Sequence, residues 1–490
     1  MKIKQEIEDC PSDFEQYKQS NSIKIQQFYQ KYSQNYDYWI RKNRYYYEQQ
    51  AKMLRAFIPN PKRMLELGCG QGYFLYSLNP EHGVGVDFSH PQIETAKQQY
   101  PQYEFHCMDF SSIGDLDQEF DVIIAVNFFS EQTHIIESLK KLHSVMHSGT
   151  RLVILEYSAM WEPMLKLAHL FKLRPKRPFY NWLAHSDFTN IFQLSDYDLI
   201  SYGNRILLPI KIPLLSPFLN AFVGRLPLLK VFGVSKFYIV RPNLPKKTKE
   251  ELTATVLIPC KNEEDNVEEI LRRTPVLGAG TEIILVDDKS TDRTKEIALA
   301  QIEKYPEKNI SVVQGPGNGK GAACRAGFKE AKNDILMILD ADMAVMPEDL
   351  PQFYDAIASG RGEFINGNRL MYQLEDDAMR TANIFGNKAF AFLFSLILRQ
   401  PIKDTLCGTK AIFRKDYWKI LETREYFNKS DIWGDYDWIY GAARYNLKFL
   451  EIPIHYRERT AGETKMLNRL SNAMVMLKMC YLAFWKIYLR

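Results

Sequence analysis

Between Val240 and Ala254 a regular pattern stops and then restarts. The interruption, Arg241-Pro242-Asn243-Leu244-Pro245-Lys246-Lys247-Thr248-Lys249-Glu250-Glu251, carries two prolines and a run of charge. Before it, strand-like runs at 63–67, 84–87, 122–126 and 152–155 alternate with helical patterns. After it the alternation resumes at 254–258, 282–286 and 335–339. Such alternation commits a chain to a mainly parallel sheet with helices on its faces. Two series, in a chain whose 490 residues exceed what one core usually organises, predict an α/β protein of two domains. The expected boundaries are an N-terminal extension over 1–28, a first domain over 29–240, a basic linker over 241–252 and a second domain over 253–490.

Composition narrows the classes of function. Hydrophobic residues make up 46% of the chain and charged residues 25%, which excludes wholesale disorder. A formal net charge of +4 is too small to support nucleic acid as a partner. The cysteines, at 10, 69, 107, 260, 324, 407 and 480, form no C-x-x-C pair. A reducing, cytoplasmic setting is therefore expected, without a disulfide framework or a zinc site. The first residues, Met1-Lys2-Ile3-Lys4-Gln5-Glu6-Ile7, lack the apolar core of a secretory signal. No membrane span is expected either: 206–223 is cut by Pro209, Pro213 and Pro217, and 384–398 is short and contains Lys388. The chain reads as soluble or bound at a membrane surface.

The first half carries Met64-Leu65-Glu66-Leu67-Gly68-Cys69-Gly70-Gln71-Gly72, a strand running into a glycine-rich turn. Glycines there let the backbone turn tightly and let a ligand approach the main chain. The next run, Val84-Gly85-Val86, ends at Asp87, where a carboxylate at a strand tip can accept hydrogen bonds from ribose hydroxyls. A dinucleotide fingerprint would continue with glycine at 73, which is Tyr73, so pyrophosphate is disfavoured. In order and spacing these residues resemble class I S-adenosylmethionine-dependent methyltransferases. The resemblance implies a Rossmann-like sheet and S-adenosylmethionine as cofactor. It makes Glu66, Gly68, Gly70 and Gly72 the first motif, puts Asp87 on the ribose and Asp109 beside the adenine, and sets Asn127 in the loop beside the methyl group. Methyl transfer rests mostly on alignment, with a base only where the nucleophile carries a proton. Glu131, His134 and Tyr157 lie near the expected mouth, and none is assigned that role. Trp161, Pro163 and Asn181-Trp182-Leu183 read as an aromatic cover packed on the sheet.

In the second half, Ile258-Pro259-Cys260-Lys261-Asn262-Glu263-Glu264 closes one strand and Val286-Asp287-Asp288-Lys289-Ser290-Thr291-Asp292 another. Asp292 suits a helix N-cap, whereas the adjacent Asp287 and Asp288 repel each other unless a ligand uses them. A third run ends Ile338-Leu339-Asp340-Ala341-Asp342. Aspartates at i and i+2 of an extended chain face one side and offer hard oxygens to Mg²⁺ or Mn²⁺, with diphosphate and water completing the shell. The loop Gly315-Pro316-Gly317-Asn318-Gly319-Lys320-Gly321 fails the Walker spacing. An ATPase is thus disfavoured, while a lysine and open backbone still suit a diphosphate.

Taken in order, these motifs resemble family 2 glycosyltransferases of the GT-A fold, of the dolichyl- or polyprenyl-phosphate sugar synthase type. The resemblance implies that Pro259, Asn262, Glu263 and Asp288 form the nucleoside pocket, with Asp287 and Lys320 also on the donor side. It gives Asp340 and Asp342 to the metal, makes 404–410 the acceptor-side loop and makes Asp435 the base, although Gly434 stands where many members carry glutamate. Arg457 opens a basic segment that holds phosphate in lipid-phosphate members, a group arginine grips bidentately; a solvated charged loop is the alternative. The apolar helix pattern over 473–490, with Lys478, Lys486 and Arg490 on one stripe, suits an interfacial helix on an anionic membrane. It suits equally a terminal helix packed on the core or on another subunit, with 390–398 as a candidate partner.

Together the halves resemble a bacterial bifunctional group that joins a methyltransferase to a family 2 glycosyltransferase. The expected function is metal-dependent transfer of a sugar from a nucleotide-sugar donor to a lipid-phosphate or glycan acceptor, with methyl transfer from S-adenosylmethionine. The expected setting is cell-envelope glycan synthesis, in the cytoplasm or at the inner face of the membrane. The alternatives are a soluble glycosyltransferase acting on a glycan or protein, and a ligand-binding scaffold without turnover.

Overall fold

The computed structural model describes residues 23–25, 27–29, 36–171, 180–226, 229–243, 251–371, 381–422, 424–427, 434–456 and 469–488. The chain separates into two compact units, Met1–Leu244 and Pro245–Arg490, each built on a mixed α/β sheet of seven strands.

The first unit contains β1 (Arg63–Leu67), β2 (His82–Asp87), β3 (Glu104–Cys107), β4 (Phe120–Val126), β5 (Met146–Tyr157), β6 (Tyr197–Arg205) and β7 (Ser235–Pro242). Their order is β3-β2-β1-β4-β5-β7-β6. The first five are parallel, and β7 runs antiparallel to both β5 and β6. Successive side chains of each strand enter opposite cores: Leu65, Leu67, Ile123 and Ile154 lie on one face, Met64, Ile124, Val153 and Leu155 on the other. Burial on both faces is what a parallel sheet requires and what the unbroken apolar runs encode. The chain leaves β1 toward β2 and β3, then returns to its other side as β4. That reversal opens a crevice at the carboxyl ends of β1 and β4, where open α/β sheets bind ligands.

The second unit contains β8 (Thr253–Cys260), β9 (Gly280–Asp287), β10 (Asn309–Gln314), β11 (Ile335–Ile338), β12 (Phe364–Asn368), β13 (Lys410–Phe413) and β14 (Phe449–Pro453). They are ordered β10-β9-β8-β11-β13-β12-β14. β10, β9, β8 and β11 are parallel, β13 is antiparallel to both its neighbours, and β12 and β14 are parallel. Helix Thr381–Leu398 packs on helix Arg469–Ala483 through Phe394, Ile397 and Leu398 against Met476, Met479 and Cys480. Among the described residues no helix is long and apolar enough to cross a membrane.

The expected linker is too wide at both ends. Arg241 and Pro242 complete β7, and the buried Arg241 guanidinium meets Asp198 of β6 at 2.8 Å. A charge that reads as solvated in sequence is here neutralised by a cross-strand partner 43 residues away. At the other end, Leu252 is buried, and its carbonyl accepts hydrogen bonds from Ala279 N–H and the Tyr354 hydroxyl.

Candidate active sites

In the first unit the glycine turn sits at the mouth of the crevice. Gly68, Gly70 and Gly72 all have positive φ, at 63°, 52° and 79°, which L-residues with a Cβ adopt only under strain. A Cβ on Gly70 would lie 3.1 Å from the Tyr36 hydroxyl, and one on Gly68 3.1 Å from the Phe128 ring. Asp87 accepts Gly70 N–H at 2.9 Å through one oxygen and Ser89 N–H at 2.8 Å through the other. Burial raises its pKa despite these two donors. Each oxygen retains a lone pair for a hydroxyl. Asn127, at φ 53°, donates its N–H to Leu155 O, and its side-chain Oδ1 is buried without a partner. An unpaired buried acceptor beside a glycine loop is costly unless a ligand or water meets it. These features fit the sulfonium nucleoside that the motif implies.

Two other residues of the predicted motif serve the scaffold. Glu66 is buried and accepts Leu75 N–H at 2.9 Å, tying β1 to the helix after the turn; burial holds its pKa well above the usual carboxylate range. Asp109 accepts Ser111 N–H at 2.8 Å and caps its own short 3₁₀ turn. His134 stands at the N-terminus of helix Ile135–Leu142. The Glu131 carboxylate accepts a hydrogen bond from Tyr29 at 2.6 Å, and the Tyr157 ring stacks on Tyr46 at 6.0 Å.

Sequence reasoning missed Glu156. The β5 run reads as ending at Leu155, two residues short, although its Glu-Tyr terminus is the analogue of Asp87 on β2. Glu156 is buried; one oxygen accepts Phe129 N–H at 2.9 Å and Ser130 N–H at 3.2 Å, and the other accepts the Tyr180 hydroxyl at 3.0 Å. Burial pushes its pKa up to about 7, against the pull of these donors. It therefore holds the loop after β4 and lies beside the aromatic cover formed by Tyr180 and Trp182.

In the second unit the residues predicted for the donor side form a knot at the ends of β8 and β9. Asn262 takes a left-handed backbone at φ 54°, donates its N–H to Ser290 Oγ at 3.0 Å and accepts Thr291 N–H at 2.8 Å. Glu263 accepts Asn266 Nδ2 at 3.0 Å, and Pro259 sits within β8. The adjacent aspartates do not need a ligand to be reconciled, because each has its own donors. Asp287 accepts Ser290 N–H and Gln314 Nε2, whereas Asp288 accepts Gly317 N–H at 2.6 Å and Gly319 N–H at 3.0 Å, so it clasps the glycine loop. Asp292 does not take the expected N-cap position, which falls to Arg293; from one residue earlier it accepts the N–H of Thr294, the first residue of helix Thr294–Lys304, at 3.0 Å.

Beyond β11 the remaining groups converge. Lys320 Nζ lies 2.6 Å from Asp340 Oδ1. Burial opposes both charges, but the pairing keeps the lysine above its usual pKa and Asp340 below. A Cβ on Gly408 would fall 1.9 Å from Asp340 Oδ2, so only glycine lets the 404–410 loop close over this pair. Asp342 accepts Ala344 N–H at 3.2 Å. Two partly exposed carboxylates are the share that Mg²⁺ commonly takes from a protein when phosphate oxygens supply the rest, so Asp340 and Asp342 fit that group once Lys320 yields an oxygen.

Asp435, the predicted base, is buried with its carboxylate 2.7 Å from the fully buried Lys410 ammonium. Gly434 is explained by space. It has φ 84°, and a Cβ there would lie 2.8 Å from Gly321 Cα, so no glutamate fits that backbone. Asp404 accepts two hydrogen bonds from the Arg369 guanidinium, at 2.7 and 2.8 Å, and one from Asn387 at 2.9 Å. Although burial alone would raise its pKa, Arg369 draws it down to about 2. Lys410 and Arg369 were not singled out in sequence because their partners lie 25 and 35 residues away. Arg457 lies outside the described residues.

Comparison with known proteins follows the same division. Residues 39–202 match the family model for a methyltransferase domain, and residues 255–421 match glycosyl transferase family 2. An undecaprenyl-phosphate 4-deoxy-4-formamido-L-arabinose transferase of Pseudomonas aeruginosa is 38% identical over 110 residues, covering 22% of this chain and 32% of the relative. The enzyme of the same name from Edwardsiella ictaluri is 29% identical over 234 residues, covering 46% of this chain and 67% of its own. A dolichol-phosphate mannosyltransferase of Pyrococcus furiosus is 39% identical over 111 residues, or 22% of this chain and 31% of the relative. The chain thus spans about a third of the length of the first curated relatives it matches. Among solved structures, the magnesium protoporphyrin IX methyltransferase of Synechocystis is 15% identical, covers 45% of this chain and 99% of its own, and has a TM-score of 0.32.

Proposed function

We propose, from the premise that this chain is a methyltransferase domain joined to a family 2 glycosyl transferase domain, that it builds a methylated, membrane-linked glycan intermediate. The second unit would move a sugar from a nucleotide-sugar donor to a polyprenyl-phosphate acceptor. The first would move a methyl group from S-adenosylmethionine. The names of the curated relatives, which include undecaprenyl-phosphate and dolichol-phosphate sugar transferases, support the lipid-phosphate acceptor over a soluble glycan or protein.

One observation carries the glycosyl transfer reading: Asp340, Lys320, Gly408 and the Lys410–Asp435 pair meet beyond the carboxyl end of β11. Asp340 and Asp342 would hold a divalent cation, whose charge would neutralise the departing diphosphate. Lys320, released from Asp340, is then placed to hold a phosphate oxygen. A phosphate acceptor is already an anion, so Asp435 need not be free to take a proton. Its pairing with Lys410 instead sets the loop that would receive the acceptor. Asn262, Glu263, Asp287 and Asp288 shape the nucleoside pocket chiefly by fixing its backbone, and Arg457 is proposed to hold acceptor phosphate.

For the methyl donor, the positive-φ glycines and Asp87 would receive the nucleoside, with Tyr36 closing over Gly70. Helix Arg469–Ala483 and the turn after it expose Met474, Leu477, Tyr481 and Trp485 beside the exposed Lys478. An apolar face with aromatic and basic residues suits the inner surface of a membrane.

The test is direct. Intact protein, Mn²⁺ and a panel of nucleotide sugars are incubated with short-chain polyprenyl phosphate or with soluble oligosaccharide, and products are read by mass spectrometry. Transfer to the lipid phosphate alone supports this reading. Transfer to oligosaccharide alone favours the soluble enzyme, and saturable donor binding without transfer to either favours a scaffold.

A further inference from the structure

Between β6 and β7 the first unit makes an excursion whose described residues, 206–226 and 229–233, are built inside out. Its helix, Leu215–Ala221, buries its polar side chains, Ser216 and Asn220, and exposes Leu215 and Phe218. Leu214, which precedes the helix at φ 62°, is 89% exposed, and Phe218 is 55% exposed. Ile210, Phe222, Leu226 and Phe232 are also exposed. A surface helix in water has the opposite polarity, and a contiguous apolar surface of this kind marks a contact site.

The excursion is held in this orientation by specific bonds. Asn220 clamps Leu208, accepting its N–H and donating to its carbonyl, each at 2.9 Å. Ser216 Oγ donates to Ile210 O at 2.7 Å and accepts Ile212 N–H at 2.8 Å. Asn204 donates to Val231 O at 2.8 Å, and Trp161 Nε1 donates to Phe232 O at 2.8 Å. Ser216 and Asn220 thus satisfy backbone groups of Leu208, Ile210 and Ile212 from within, which leaves the apolar side chains to face outward.

Charge identifies the occupant. Across 206–233 the charged residues are Lys211, Arg225 and Lys230, with no aspartate or glutamate; Arg225 is buried, which leaves Lys211 and the half-buried Lys230 to meet the headgroups. Lys211 is exposed beside the apolar groups. We propose that residues 206–233 are a membrane-docking surface of the methyltransferase unit, which seats its outward leucines and phenylalanines at the headgroup boundary of an anionic bilayer. The prolines and short helix lay this segment on the membrane and do not span it. The inference concerns the first unit and requires neither transfer reaction.

The experiment sediments intact protein with sucrose-loaded vesicles of phosphatidylcholine alone or mixed with phosphatidylglycerol. To isolate this surface, all proteins carry Leu477→Asp and Tyr481→Asp, which disable the exposed C-terminal helix. In that background the chain is expected to bind the anionic vesicles, more weakly as salt rises. Adding Leu214→Asp and Phe218→Asp should lower the partition coefficient by at least about 10-fold per side chain while thermal unfolding is unchanged, since neither residue is buried. Lys211→Glu, which keeps every apolar group, should weaken binding to anionic vesicles only. No vesicle binding in the background protein, or binding indifferent to the two aspartates, would overturn the proposal. So would a concentration-dependent dimer that these aspartates dissolve, since a second copy would then be the occupant.

Discussion

Replacing Lys410 by methionine separates two views of Asp435. If Asp435 were simply a base awaiting substrate, its lysine neighbour would matter little to folding. The structure instead sets a fully buried ammonium 2.7 Å from a carboxylate whose side chain is only 8% exposed. Removing one partner of such a pair leaves an uncompensated buried charge and costs about 3–5 kcal/mol. For a unit the size of Pro245–Arg490, that corresponds to a fall of roughly 6–20 °C in its melting temperature. Asp435→Asn, which strands the lysine, should cost a similar amount. The double variant Lys410→Met/Asp435→Asn should recover most of it, because no lone charge remains. Calorimetry of the intact chain supplies an internal control, since the transition of the first unit should stay in place. Activity should be lost in all three proteins, so stability and turnover part company in the double variant. An Asp435→Asn protein that melts like the parent, or single variants whose costs merely add, would refute the reasoning.

Three further outcomes follow from the same geometry. Gly408→Ala would drive a methyl group into Asp340 and Lys320, so Mn²⁺-dependent nucleotide binding by calorimetry should fall at least about 10-fold while the methyl-donor site still binds S-adenosylhomocysteine. Lys320→Gln frees Asp340 of its internal cation; Mn²⁺ titration without nucleotide should show binding in the variant and little in the parent, and equal affinities would exclude competition between lysine and metal. Burial pushes the pKa of Glu156 from an ordinary 4.5 up to about 7. Between these values the folded state holds more protons than the unfolded one, so its contribution to stability falls as pH rises through that window and is level above it. Glu156→Gln should flatten the dependence of the first unit's melting temperature between pH 4.5 and 7, and an unchanged slope would argue against it.

What the sequence discloses here is whatever is local. Apolar runs ending in Gly68, Asp87, Asp288 and Asp340 mark strand ends because a buried parallel strand must be apolar throughout and must terminate where a polar group reaches solvent. Those four positions are enough to read two α/β sheets and the edge of each site. Roles that depend on distant partners are not written locally. Asp287 and Asp288 look mutually repulsive until Gln314 and the amides of Gly317 and Gly319 arrive from another loop. Arg241 looks like linker until Asp198 meets it across β6. Gly434 looks like a departure from a motif until the close passage of Gly321 accounts for it. In each case the missing information is a contact far away along the chain.

The antiparallel insertion of β13 has a further consequence. Ile338 of β11 pairs with Lys410 of β13, so Asp340 and Gly408 each lie two residues beyond the same rung of the ladder. The spacing between the acidic pair and the loop is therefore calibrated by backbone hydrogen bonds. Side chains alternate faces along a strand, so a slip of one residue would turn Lys410 away from Asp435. Insertions and deletions should accordingly be intolerable within 335–340 and 408–413, and the crossover from β12 to β13 is restricted as well by the bonds of Arg369 and Asn387 to Asp404 and by the buried Phe394.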